Sequence, residues 1–207
     1  MTEEPTVFVV DDDQIVRDSL ATLLTTAQIR TETFSDALEF LDRFDPERSG
    51  CVLLDVRMPG MSGLELQRHL LQMDVPMTTI ILTGHADVPM AVGAMKTGAT
   101  DLIEKPFRAD DLIRRVRQAM GQNVEARRIW NRKRELQRSL ESLTPREKTV
   151  LSMIVEGKAT KAIAQELGTS FNTVRNQRTS IMRKMKTDSV VDLVRIMTEL
   201  AGNPEQN

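Results

Sequence analysis

Cys51-Val52-Leu53-Leu54-Asp55-Val56-Arg57-Met58-Pro59-Gly60 decides how this chain folds. Its first four residues carry no charge and fit a strand covered on both faces, as the strands of a parallel sheet are. The run stops at a carboxylate, and Pro-Gly punctuation follows. Thr6-Val7-Phe8-Val9-Val10 behaves in the same way and runs into Asp11-Asp12-Asp13. In an open α/β sheet, ligands sit outside the carboxyl ends of strands, where the strand order reverses. Two strands that both end in Asp would meet there as an acidic cluster, and carboxylates that close repel unless a proton or a cation lies between them. Taken alone, the two stretches also fit unrelated, solvated loop aspartates.

Two further strands add chemistry. Thr79-Thr-Ile-Ile-Leu-Thr83-Gly84 ends in a hydroxyl, and Asp101-Leu-Ile-Glu-Lys105-Pro106-Phe107 ends in Lys-Pro. Asp-Asp, Asp, Thr and Lys at four successive strand ends suit a phosphoryl acceptor. One carboxylate serves as nucleophile, two more hold a hard cation, and a hydroxyl and an ammonium bind phosphoryl oxygens. With these residues in order, residues 1 to about 122 resemble a response-regulator receiver domain. The stretch from Thr83 to Phe107 is similar to the FixJ branch in particular.

That resemblance implies a flavodoxin-like, doubly wound, five-stranded parallel sheet. It implies that a partner histidine kinase phosphorylates Asp55. Mg²⁺ (or Mn²⁺) would be held by Asp12 and Asp55 directly, by Asp11 through water and by the backbone carbonyl of Arg57. Lys105 would pair with a phosphoryl oxygen, its bond to Pro106 would be cis, and Thr83 would donate a hydrogen bond. The face made by the fourth helix and fifth strand would then support dimerisation. One position departs from the pattern: receivers usually carry Phe or Tyr three residues before the Lys, and here Leu102 stands there. Coupling to Thr83 is expected to survive through Leu102 packing, in weakened form.

Composition narrows the classes. The 207 residues allow one or two domains, and 40% hydrophobic residues can supply cores. No run of 18 apolar residues exists, so no membrane span is expected. The acidic start Met-Thr-Glu-Glu-Pro does not read as a signal peptide. Cys51 is alone, which excludes an intrachain disulfide and suits a reducing cytoplasm. His69 and His85 are too few for a histidine metal site. The net charge of −2 hides an asymmetry. Residues 1–122 hold 12 Lys and Arg against 20 Asp and Glu; residues 123–207 hold 16 against 10. Only the second part is suited to a polyanion.

Along the chain, strand and helix alternate through the first 118 residues, which predicts a parallel sheet with helices on both faces. Val16, Leu20, Leu23, Leu24 and Ala27 mark the first helix, and residues 30–34 a second strand near an edge. Ser35 is expected to cap a helix over 35–43, Ser62 to start the next, and 88–97 to form a fourth that stops at Gly98. A fifth begins near Ala109 with Leu112, Ile113, Val116 and Ala119 inward. Residues 123–142 read as a helical linker, with Ile129, Leu136, Leu140 and Leu143 at roughly helical spacing and Trp130 free to pack on either side. Too few heptads exist to require a coiled coil.

From Thr144 the pattern is all-helical. Thr144-Pro145-Arg-Glu147 is a capping box with Pro at the first helical position. Helices over about 160–167 and 171–185, with Gly168 between them and Ser170 as a cap, form a helix-turn-helix. A last helix starts at Ser189, giving a small four-helix domain over 143–202 and a tail at 203–207. In the 171–185 helix, Val174, Ile181 and Met185 face a core. Asn172, Arg175, Asn176, Thr179 and Arg183 share a polar, basic side without acidic residues, as a helix in a major groove requires.

Leu143-Thr-Pro-Arg-Glu147, Ile163-Ala-Gln-Glu-Leu-Gly168 and Thr173-Val-Arg-Asn-Gln-Arg-Thr-Ser-Ile-Met-Arg-Lys-Met185 resemble the LuxR-type DNA-binding domain. This resemblance places base-facing positions on Arg175, Asn176 and Thr179, and phosphate contacts on Lys161, Arg178, Arg183 and Lys184. Gln177 stands where many members carry His, and Thr179 is uncharged where some carry Lys. Both differences bear on base preference rather than on docking. Together the resemblances imply a two-component regulator of the FixJ/NarL type that binds promoter DNA, dimerises when phosphorylated and contacts a histidine kinase and, in principle, RNA polymerase. Two other classes fit the sequence less well. A small aspartyl phosphatase would need a second Asp where Arg57 stands, and a constitutive DNA-binding protein would not need the five-residue set at the strand ends.

Overall fold

The computed structural model describes residues 4–84, 93, 95, 96 and 98–201. The chain divides into two compact units, Met1–Trp130 and Asn131–Asn207. The helix expected over 88–97 falls mostly outside the described residues, as do His85 and the tail at 203–207.

In the first unit, β1 (Thr6–Val10), β2 (Thr31–Phe34), β3 (Gly50–Asp55), β4 (Thr78–Thr83) and β5 (Asp101–Glu104) form one parallel sheet. Its order is β2-β1-β3-β4-β5, so the direction of winding reverses between β1 and β3. Helices α1 (Gln14–Thr26), α2 (Ala37–Arg43) and α3 (Gly63–Gln72) follow the first three strands, and α4 (Ala109–Glu141) follows β5. The two-residue alternation of strand side chains sorts the core into layers. Phe8, Val10, Val52, Leu54 and Ile81 face one way, onto Phe40 of α2 and Leu66 and Leu70 of α3. Val7, Val9, Cys51, Leu53, Ile80 and Leu82 face the other, onto Leu20 and Leu24 of α1 and Leu112 and Val116 of α4. Cys51 is fully buried, and that burial pushes its thiol up to about 12, as expected of a small hydrophobe rather than a reactive group.

One cap differs from expectation. Asp36, not Ser35, caps α2: its extended backbone lets the carboxylate accept from the amides of Leu38 and Glu39, while the Ser35 amide and hydroxyl donate to Glu39. α3 starts as expected, with a reciprocal capping box between Ser62 and Glu65. Gly63 is needed there because a Cβ would lie 2.1 Å from the carbonyl oxygen of Asp55, so the helix can approach the end of β3 only without a side chain.

Helix α4 is continuous across the stretch read as a linker, and the division between units falls inside that stretch. Its residues 123–130 pack on the first unit. Buried Asn123 accepts from the Gly50 amide at 2.8 Å and donates to the Pro76 carbonyl. Arg127 donates to the Pro46 and Arg48 carbonyls and lies 5.4 Å from the centre of the Trp130 ring. The Trp130 indole donates to the Asp74 carbonyl at 2.8 Å. Ile129, expected on an apolar stripe, is 58% exposed, because polar contacts rather than apolar ones hold this part of the helix.

The second unit contains α5 (Pro145–Val155), α6 (Thr160–Glu166), α7 (Phe171–Lys184) and α8 (Val190–Ala201). Val150, Leu151 and Ile154 of α5, Ile163 of α6, Val174 and Ile181 of α7 and Leu193 of α8 make its core. Leu136 and Leu140 of the last turns of α4 pack against it.

Replacing Asn123 by Ala removes both of its bonds and leaves the buried Gly50 amide unpaired. A loss of about 1–3 kcal/mol is expected in the urea unfolding of the first unit. An unchanged unfolding midpoint would show that these bonds do not anchor the helix.

Candidate functional site

The reversal of winding sets the first site. Val10 and Leu54 are register partners, so the next residues, Asp11 and Asp55, stand side by side at the carboxyl end of the sheet. Lys105 follows β5 and reaches back across the end of β4. Its ammonium bonds Asp11 Oδ2 and Asp55 Oδ1, each at 2.8 Å. Asp11 is 2% exposed, and its other oxygen accepts from the Asp13 amide at 3.0 Å. The second oxygen of Asp55 accepts from the Arg57 amide at 2.7 Å. Burial opposes the charge on Lys105, but the hydrogen bonds and negative charges of Asp11 and Asp55 outweigh it and hold its pKa above the ordinary lysine value. Thr83 is buried at the end of β4, and its carbonyl accepts from the Lys105 amide at 2.7 Å. The Lys105–Pro106 peptide is cis. Asp13, which carried no role in the sequence, caps α1 by accepting from the Ile15 amide at 2.8 Å.

Asp12 is exposed on the turn that follows β1. Among the described residues, no group of three or more His, Cys, Asp or Glu side chains could hold a metal ion. A cation here would draw on the carboxylates of Asp12 and Asp55, the Arg57 carbonyl and water. That all-oxygen donor set fits Mg²⁺, which takes one or two carboxylates and keeps several waters. Leu102 is half-buried against the layer that contains Phe8 and Ile81.

The second site is α7. Ser170 caps it by accepting from the Thr173 amide at 3.0 Å. Val174, Ile181 and Met185 are buried, and Asn172, Arg175, Asn176, Thr179 and Arg183 are exposed. Arg178 is partly buried, and Lys161, on α6, is exposed. The amide oxygen of Gln177 is buried, so its difference from His lies away from the exposed side. Lys184, expected on phosphate, is engaged within the unit. Its ammonium bonds Glu147 Oε2 at 2.7 Å and the Ser142 carbonyl at 3.1 Å, contacts that compete with a reach to DNA. Glu147 also accepts from the Ser180 hydroxyl at 2.6 Å and from the Thr144 amide at 2.8 Å. Its capping role was legible; its anchoring of α7 was not, because Ser180 and Lys184 lie far along the chain.

The sequence matches the response regulator receiver domain over residues 7–117 and the luxR family of bacterial regulatory proteins over residues 141–197. The chain belongs to the response-regulator family. It is 44% identical over 202 residues to the transcriptional regulatory protein FixJ of Azorhizobium caulinodans, covering 98% of this chain and 95% of that protein. It is 40% identical over 199 residues to the response regulator protein TodT of Pseudomonas putida, covering 96% and 88%. Among solved structures, response regulator StyR matches with a TM-score of 0.83 at 41% identity, covering 95% of this chain and 100% of that one. Full-length FixJ from B. japonicum matches with a TM-score of 0.56 at 37% identity, covering 97% and 98%. The protein is therefore a two-component response regulator that controls transcription through a LuxR-type DNA-binding domain, and phosphorylation-driven regulation is the general mechanism of its family. These domains imply a histidine kinase partner and DNA binding. No helix among the described residues is long and apolar enough to cross a membrane.

The Lys184 ammonium, the Ser180 hydroxyl and the Thr144 amide lower the Glu147 pKa from its ordinary 4.5 to about 2. A carboxylate depressed on folding contributes stability that is fully present above its unfolded value and is lost as pH falls through the folded one. Glu147→Gln is expected to destabilise the second unit by about 2–4 kcal/mol at pH 7. The gap to wild type should narrow between pH 4.5 and 2. Urea titrations followed by circular dichroism check this, and a gap independent of pH would remove the ion pair from the account.

Proposed function

We propose that Asp55 is the phosphoryl acceptor, that its phosphorylation is the switch, and that α7 reads promoter DNA in the major groove. The observation that carries the first part is the meeting of Asp11, Asp55 and Lys105 where the sheet reverses its winding. An Asp55 carboxylate oxygen attacks the phosphorus of a phosphohistidine on the cognate kinase. The N–P bond breaks, and its electron pair returns to the imidazole. Lys105 turns from balancing two carboxylates to pairing with a phosphoryl oxygen, and the Thr83 hydroxyl donates a second bond. Asp12, Asp55 and the Arg57 carbonyl would hold Mg²⁺ (or Mn²⁺), with Asp11 acting through water. Bound there, the ion supplies neutralisation of the charge on the transferring group.

The movement of Thr83 biases the face of β5, where Leu102 packs, toward a form that dimerises. A dimer sets two copies of α7 on neighbouring half-sites, with Arg175, Asn176 and Thr179 toward bases and Asn172, Lys161, Arg178 and Arg183 toward the groove and its phosphates. Lys184 joins them only by giving up Glu147. RNA polymerase is a further partner in this reading, and the cytoplasm is the setting. The protein catalyses nothing beyond its own phosphoryl transfer and dephosphorylation. Residues 1–122 act as receiver and 143–202 as DNA-binding domain. The contacts of Asn123, Arg127 and Trp130 support counting the first turns of the 123–142 joint with the receiver.

Acetyl phosphate with Mg²⁺ should add one phosphoryl group to wild type and none to Asp55→Asn, read by intact mass. Beryllofluoride should shift wild type alone from monomer to dimer in sedimentation. Incorporation into Asp55→Asn would sink the assignment, and no incorporation into either protein would favour a constitutive DNA-binding protein.

Leu102→Phe is expected to change the dimerisation constant of the phosphorylated protein severalfold while leaving the rate of Asp55 phosphorylation unchanged. Equal constants would remove Leu102 from the switch.

A further inference from the structure

We infer that Phe171 is a specificity-determining residue that reads the 5-methyl group of a thymine in the major groove. The inference rests on the DNA-binding reading of α7 and deepens it. The chain has six phenylalanines, and Phe8, Phe34, Phe40, Phe44 and Phe107 are buried in or packed against the cores of the first unit. Phe171 is 52% exposed and belongs to no core. Single exposed apolar side chains are ordinary on a protein surface, Ile15 and Val191 here included; what sets Phe171 apart is its place on the acid-free helix α7.

The ring is placed on a regular element, not on a loose loop. It is the first residue of α7, directly after the Ser170 cap, whose hydroxyl holds the Thr173 amide at 3.0 Å. Arg175 and Thr179 follow at i+4 and i+8, and Asn172 and Asn176 flank that stripe; all four are exposed. The helix Phe171–Lys184 contains no acidic residue. A cationic, acid-free face is complementary to a polyanion. Within the major groove, the apolar feature at base edges is the thymine methyl, which Phe can contact. Residues at the N-terminal end of a recognition helix are those that meet base edges. Arginines that contact phosphate carry no sequence information directly, whereas a ring on a methyl group does.

The test uses the full-length protein activated with beryllofluoride and Mg²⁺. Wild type first selects a binding site from randomised duplexes. Each thymine of that site is then replaced singly by deoxyuridine, which deletes only the methyl group. At one thymine per half-site, wild type should lose affinity roughly three- to fivefold, the scale of one buried methyl group. Phe171→Ala should bind both duplexes equally, and Phe171→Leu should keep part of the discrimination. The salt dependence of binding should match wild type in both variants, because the ring displaces no counterions. If wild type responds at no thymine, or wild type and Phe171→Ala respond alike at every one, the inference is overturned while the DNA-binding reading stands. If wild type selects no duplex, both fall. Unchanged DNA discrimination with lost transcription activation in Phe171→Ala would assign the ring to a protein partner and likewise overturn the inference.

Discussion

One ammonium ion holds the carboxyl end of the sheet together. Asp11 and Asp55 are brought side by side by the β1–β3 register, and like charges placed together repel. Lys105 makes that juxtaposition tolerable by bonding both. It can do so only from the far side of β4, because β5 is the strand whose end faces the cluster across one neighbour. A lysine stem spans that gap while its charged head stays partly solvated. The order of strands, the close approach of α3 allowed by Gly63 and the placement of Lys105 are thus parts of one electrostatic arrangement.

The second unit uses an ion pair differently. Glu147 closes the N-terminus of α5 and also receives Ser180 and Lys184 near the end of α7. A single nearly buried carboxylate therefore ties α7 to the start of α5. Phosphoryl transfer asks nothing of this pair, which opens only where Lys184 turns to DNA, whereas the Lys105 contacts must rearrange when a phosphoryl group arrives on Asp55. The Glu147–Lys184 pair is a structural brace and the Lys105–Asp55 pair is a poised contact, although both are lysine–carboxylate bonds of about the same length.

The sheet was legible because uncharged strand runs, alternate-face burial and polar strand ends are local properties. The same holds for the Ser62 and Thr144 capping boxes and for the split of α7 into a buried and an exposed side. What was not legible shares a cause. Ser35 and Asp36 are both good caps, and only the backbone angles at Asp36 decide between them. Lys184 belongs to the basic residues of α7 by sequence, but a carboxylate 37 residues earlier takes its ammonium. The stretch 123–142 reads only as a helical linker, because the anchors of its first turns are polar side chains. Asn123 and Arg127 find backbone groups of Gly50, Pro76, Pro46 and Arg48, and carbonyls leave no mark in a sequence.

Those anchors change what α4 can do within the first unit. At its start, Arg115 bonds both oxygens of Asp101, the first residue of β5, and also Asp111. Leu112, Val116 and Ala119 then bury against the sheet. Further along the helix, Asn123, Arg127 and Trp130 tie it to the segments that begin or precede β3 and β4, at the amino end of the sheet. From 109 to 130 this is about 33 Å of helix at 1.5 Å per residue, held along its length. Interrupted packing would let a disturbance at β5 dissipate in helix bending. Continuous packing with polar ties at both ends instead favours movement of this part of α4 as a rigid body, because cores rearrange between discrete packings rather than deform smoothly. The polar anchors therefore do more than end the domain: they hold residues 123–130 of α4 on the same compact unit as β5.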